Sequence, residues 1–169
     1  MATFRIVTEI AAPVAVCFDL ARDIDFHTRS LGDTGERAVA GRTTGLIGPG
    51  ESVTWEARHL GVRQRLTAEV TAYDRPAYFR DVMTRGAFRA FAHDHRFEAR
   101  GGGTVMTDEV VFRSPLGPLG WAVDRLFLAG YLRRLLEGRC QAIKREAEAA
   151  TNGHAEPGAP AGPSGAAGG

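Results

Sequence analysis

Lysine is all but missing from this chain. Lys144 stands alone among 21 basic residues, the others being arginine, and 20 acidic residues bring the formal charge to +1. That balance leaves no electrostatic footprint for nucleic acid or for an anionic membrane surface. The arginine bias, with abundant alanine and glycine, reads as the codon usage of a GC-rich genome more than as chemistry. Cysteine is scarce: Cys17 and Cys140 fall in separate predicted helices without metal-ligand spacing. Two thiols and no secretory h-region predict a reducing, cytoplasmic setting. No stretch approaches the ~20 consecutive apolar residues of a spanning helix, so no membrane insertion is expected. Nucleophile and phosphate motifs are missing as well. There is no G-x-S-x-G, and Gly101-Gly102-Gly103 joins two strand patterns where a P-loop would lead from strand to helix.

What is present suits one globular domain: 169 residues, 44% apolar and 24% charged. Thr3 to Ile10 alternates as a first strand. Ala12-Pro13 opens a short helix, since proline is well placed in a first turn, and Asp23 can cap a second that runs to Ser30. Glu36 to Thr43 is the next strand pattern. The loop from Gly45 to Gly50 carries Leu46 and Ile47, either a lid over a pocket or residues that tuck into the core edge. Strands follow over Glu51–Leu60, Val62–Tyr73, Ala77–Arg85, Arg89–Ala99 and Thr104–Arg113, an antiparallel meander with short connections. Val62 to Tyr73 is the cleanest half-buried strand, with only Gln64 interrupting its apolar face. Pro115 to Pro118 breaks the sheet and opens a long helix from about Leu119 to Ala149, with an apolar stripe that includes Leu126, Leu132, Leu136, Cys140 and Ile143. Its first half carries extra apolar bulk at Trp121, Phe127 and Tyr131. The domain is expected over residues 1–150, followed by a disordered Gly/Ala/Pro-rich tail, 151–169.

The chemistry concentrates between Phe79 and Phe112. Phe91, His93, His95 and Phe97 occupy every second position, so a strand puts both histidines on one face with two aromatic rings. If the turn near Gly86 pairs Phe79 with Phe97, Asp81 lies opposite His95 and Met83 opposite His93. If the glycine turn pairs Met106 with Phe97, Asp108 also lies opposite His95. The expectation is therefore a row, Asp81–His95–Asp108, across three strands, in which the carboxylates raise the histidine pKa. Gln64 and Trp55, on the same predicted face, supply an amide and a flat wall. Three readings stay open: a self-satisfied polar network, contacts to a ligand, or acid/base catalysis by His95 or His93, with Asp108 in support. Alternating histidines with Asp81 or Asp108 are suitable metal-ligand types, but no metal or other cofactor is expected. Asp19, Asp23, Asp25 and His27 read as capping and solvated surface.

The element order, the Ala12-Pro13 helix start and the Pro115-Leu116-Gly117 approach to the last helix resemble the START-like, or polyketide cyclase/dehydrase, superfamily over about Thr3 to Ala149. The runs GLIGPGESVTWEARHLGVRQRLT, FRDVM, GAF and His93-x-His95-x-Phe97 are similar to bacterial ligand-binding or cyclase-like members. The resemblance implies an α+β helix-grip fold: a seven-stranded antiparallel sheet, two short helices between strands 1 and 2, and a long carboxy-terminal helix in its grip. It also implies a cavity between sheet and helix. Trp55, Gln64, Asp81, Met83, Phe91, His93, His95, Asp108 and Leu126 are the candidate ligand contacts. The superfamily leaves function open among a carrier of a small hydrophobic or aromatic molecule, a cyclase/dehydratase-type enzyme, and a module that meets a partner, membrane or second copy through the first half of the last helix.

Overall fold

The computed structural model describes residues 1–31, 35–59, 61–115 and 127–153. The elements in chain order are β1 (Ala2–Ile10), α1 (Val14–Ala21), α2 (Ile24–Ser30), β2 (Arg37–Gly41), β3 (Ser52–His59), β4 (Val62–Asp74), β5 (Tyr78–Arg85), β6 (Ala90–Arg100), β7 (Gly103–Arg113) and α3 (Ala129–Asn152). All seven strands form one antiparallel sheet in the order β1-β7-β6-β5-β4-β3-β2. The two short helices carry the chain from β1 at one edge to β2 at the other, and the meander returns to place β7 beside β1. This is the expected helix-grip architecture. Residues 119–126 of the expected last helix lie outside the described residues, and its other end continues past Ala149 to Asn152. Residues 154–169, most of the expected tail, also lie outside them. Among the described residues no helix is long and apolar enough to cross a membrane.

Strict alternation shapes the sheet. β1 buries every second residue, putting Phe4, Ile6, Thr8 and Ile10 inside. The unpaired edge of β1 is covered by α3: Lys144 Nζ donates to the Glu9 carbonyl at 2.6 Å, and Glu148 accepts from the Ala11 amide at 2.9 Å. Basic side chains on an edge strand also deter pairing with other chains. Asp23 caps α2 as expected, accepting the Phe26 amide at 3.0 Å. Gly101 and Gly102 both take positive φ, 58° and 83°, which a two-residue hairpin turn of this kind demands. That turn locks β6 to β7 with Phe97 opposite Met106 and His95 opposite Asp108, the register the sequence implied.

The interior has two ends. Under α1 and the second half of α3 it is filled: Phe18 is fully buried and meets Tyr73, Phe79 and Phe97 edge-on at 5.5, 5.5 and 5.4 Å. Cys140, Ile143 and Ala147 close this end from above. Under the first described turns of α3 the space between helix and sheet stays open.

Candidate functional site

Alternate residues of β3 to β6 turn toward α3 and, with α2 and the loop before β3, enclose a cavity of about 210 Å³. Its wall is mainly apolar, drawn from Trp55, Leu66, Phe79 and Phe91 of the sheet and Leu132 and Leu136 of α3. An apolar cavity of ~150 Å³ accepts benzene, so this one has room for one or two rings. The loop tip divides its residues. Ile47 is buried and lines the cavity while Leu46 stays exposed. The loop is pinned to the α1–α2 junction by the Ile47 amide on the Arg22 carbonyl at 3.1 Å and the Ile24 amide on the Gly45 carbonyl at 3.0 Å.

One wall is polar. Asp108, 1% exposed, lies at its centre behind the two histidines. His93 Nε2 donates to Asp108 Oδ1 at 2.9 Å. His95 Nδ1 lies 2.9 Å from the same oxygen, a charge contact too oblique to count as a hydrogen bond. On the cavity side His95 Nε2 reaches Asp81 Oδ2 at 3.4 Å. Cys140 of α3 donates its thiol to Asp108 Oδ2, also at 3.4 Å. The His93 and His95 rings sit 3.7 Å apart, and Phe79 stacks on His95 at 4.1 Å.

This packing divides the two imidazoles electrostatically. Burial works against a charged His95, yet the contacts with Asp108 and Asp81 outweigh it and raise its pKa above the ordinary value, as expected. Burial and the neighbouring His95 charge lower the pKa of His93, because Asp108 and Asp81 do not offset them. Burial opposes the ionised form of Asp108 as well, but two facing imidazoles hold it well below the carboxylate range. The two imidazoles are thus pushed in opposite directions, His95 toward holding a proton between two carboxylates and His93 toward releasing one.

The predicted row exists, by a different route. Asp81 does not pair with His95 across the backbone: β5 and β6 align Phe79 with His95 and Asp81 with His93. The register is shifted by two residues because pairing stops at Val82–Ala92 and a longer connection than the assumed tight turn follows. A two-residue shift preserves the face, and Asp81 reaches His95 diagonally. Met83 is displaced by the same shift. It aligns with Ala68 of β4 and is not among the described residues that line the cavity. Trp55, Gln64, Asp81, Phe91, His93 and His95 do line it, Asp108 supports them from behind, and Leu126 lies outside the described residues.

Several cavity residues escape sequence reasoning. His27 is not solvated surface. It stacks on Trp55 at 4.0 Å, faces Glu36 Oε1 at 3.2 Å, and burial, aided by Arg139, lowers its pKa. Arg139 is 3% exposed, donates to the Ala21 carbonyl at 2.6 Å and lines the cavity. Its position, three residues after Leu136 and four before Ile143, puts it on the apolar stripe, a signal that was available. Of the residues giving the last helix its extra apolar bulk, Tyr131 faces inward with its hydroxyl 2.9 Å from His59 Nδ1, whereas Phe127 is 53% exposed and Trp121 lies outside the described residues. Asp81, His93 and His95 present metal-competent atoms within 4.8 Å of one another.

Comparison with known proteins follows this geometry. A family model described as "Polyketide cyclase / dehydrase and lipid transport" matches residues 1–148. No curated protein matches the chain. Among solved structures, TTHA0849 from Thermus thermophilus is similar at 19% identity, covering 89% of this chain and 99% of that one, with a TM-score of 0.72. Ara h 8.0201 is 19% identical over 88% of this chain and 98% of its own, with a TM-score of 0.66. A START superfamily protein from Mycobacterium smegmatis is 15% identical over 88% and 98%, again with a TM-score of 0.66. At these identities the likeness is one of fold.

Proposed function

Because the chain belongs to the polyketide cyclase/dehydrase and lipid transport family, as a START-like member, we propose that it binds a small hydrophobic or aromatic molecule in the cavity beneath α3. The observation that carries this reading is the cavity itself, apolar on most sides and polar on one. Transfer of apolar surface from water contributes about 25 cal/mol per Å². His95, Asp81 and Gln64 then orient whatever polar group the ligand carries. Both cysteines are buried free thiols, which suits a reducing compartment, and a cytoplasmic location belongs to the same reading. A docking role for the start of α3 has less support, since Tyr131 turns inward.

Native mass spectrometry of the purified protein is expected to reveal a copurified small molecule. Calorimetric titration with 2-naphthol is expected to saturate at one equivalent, and Ala68→Phe to abolish it by filling the cavity. No copurified mass and no saturable 2-naphthol binding would sink the reading. A second reading, a cyclase/dehydratase-type enzyme, draws on His93 and His95 standing together on the cavity wall with pKa values shifted in opposite directions. Its test is His95→Ala with the identified ligand: binding retained with turnover lost favours catalysis, and unchanged turnover removes His95 from it.

A further inference from the structure

The polar wall contains more than ligand-orienting groups. Asp81, His93 and His95 come from two adjacent strands, directly paired at Asp81 and His93, and all three line the cavity. Their donor atoms converge within 4.8 Å. Asp81 Oδ2 and His95 Nε2 stand 3.4 Å apart, the edge of a tetrahedron whose centre bonds each ligand at about 2.1 Å. Behind them Asp108 contacts Nε2 of His93 and Nδ1 of His95, each at 2.9 Å. A buried carboxylate behind an imidazole is the usual outer-shell support of a metal-binding histidine, fixing its ring and raising its basicity. Here one carboxylate oxygen hydrogen-bonds His93 and makes a charge contact with His95.

Charge points the same way. With both imidazoles unprotonated, as metal ligands must be, Asp81 and Asp108 leave a local charge of −2. Elsewhere around the cavity Arg22 and Arg65 pair with Asp19 and Glu56, Asp23 caps α2, and Arg139 and Glu36 are of opposite sign. A divalent cation carries the charge that neutralises the cluster.

We propose that Asp81, His93 and His95 hold one divalent transition-metal ion of the zinc or ferrous class, supported by Asp108, with a coordination position open to the cavity. Two imidazole nitrogens and one carboxylate oxygen favour such ions over magnesium or calcium, which take oxygen donors, and over cuprous ion, which takes sulfur. Cys140 does not compete, because its thiol lies on the far oxygen of Asp108. The open position would take a carbonyl or phenolic oxygen, or water. The site stands whether or not the cavity also receives an organic molecule.

The test uses the full chain, stripped with a chelator and titrated with zinc by calorimetry and with cobalt(II) by visible spectroscopy. One equivalent is expected to bind, and cobalt to show the absorption of a four- or five-coordinate ion. Asp81→Asn, on the partly exposed ligand, is expected to weaken binding at least ~10-fold, and Asp108→Asn by ~10–100-fold as loss of an outer-shell partner does. His93→Ala should abolish it. No stoichiometric binding by the wild-type protein overturns the proposal, and that result needs no variant to fold. Binding that survives both Asp81→Asn and His93→Ala unchanged places the ion elsewhere and overturns it equally.

Discussion

The two ends of the interior are built from the same strands and the same helix, yet one is filled and the other hollow. At the filled end Phe18 plugs the space between α1 and the sheet, and Cys140, Ile143 and Ala147 of α3 are buried to within 2%. At the hollow end Leu128, Tyr131, Leu132, Leu135 and Leu136 of the same helix are only partly buried although they face inward, because they face the cavity. The apolar stripe of α3 is continuous across both. What differs is what meets it: a plugging helix at one end, and at the other a concave wall that includes small residues, Ala57 and Ala68. The polar network sits at the border, with Phe79 packed on Phe18 on one side and on His95 on the other. Close packing and open space are thereby assigned to different halves of one core.

Substitutions can break this contrast. The largest expected loss is at the border: Asp108→Asn removes the charge both imidazoles face and is expected to cost ~3–5 kcal/mol in chemical denaturation, the usual effect of breaking a buried pair. The pH dependence has a definite sign. The folded pKa of Asp108 is depressed, so its contribution is present above the ordinary value of ~3.9 and is lost as pH falls toward the folded value. Wild-type protein should lose stability on acidification more steeply than the Asp108→Asn protein, and equal slopes would refute that assignment. Phe18→Ala at the filled end is expected to cost ~3–5 kcal/mol, whereas Leu132→Ala, already facing space, should cost clearly less. Equal losses at the two sites would erase the distinction between the ends.

Additions should behave in the opposite sense. Ala147→Leu overpacks the filled end and is expected to cost ~1–3 kcal/mol. Ala68→Leu grows into the cavity and should leave stability unchanged or raised while weakening 2-naphthol binding. The smallest effect is spectroscopic. His27 stacks on Trp55 and its folded pKa is lowered by burial, so its protonation should quench Trp55 fluorescence with a midpoint below the ordinary ~6.5. The measurement is made in a Trp121→Phe background. A midpoint at or above that value would mean that His27 is solvated.

Much of this was legible one residue at a time. Val62 to Tyr73 and Phe91 to Phe97 alternate because one face of an antiparallel sheet is buried, so their inward sets could be named before any fold was known. The glycine pair at 101 and 102 determined a turn and, through it, the His95–Asp108 register. Asp81 was assigned to the right face and to the wrong backbone partner, since nothing local defines where β5 and β6 stop pairing. The expected pairing of Met83 with His93 failed for that reason. Arg139 was overlooked on an apolar stripe, and His27 was read as surface because its partners, Trp55 and Glu36, are remote in sequence.

The sequence by itself determined the element order, the inward face of each strand and the two carboxylates that flank His95, because side-chain alternation and turn chemistry act over a few residues. Only the tertiary structure decided that α3 is filled beneath one half and hollow beneath the other. It also brought Cys140 to Asp108 and Arg139 to the cavity and pushed the pKa values of His93 and His95 in opposite directions. Those features depend on which distant groups exclude water from one another, and that is a property of packing in three dimensions.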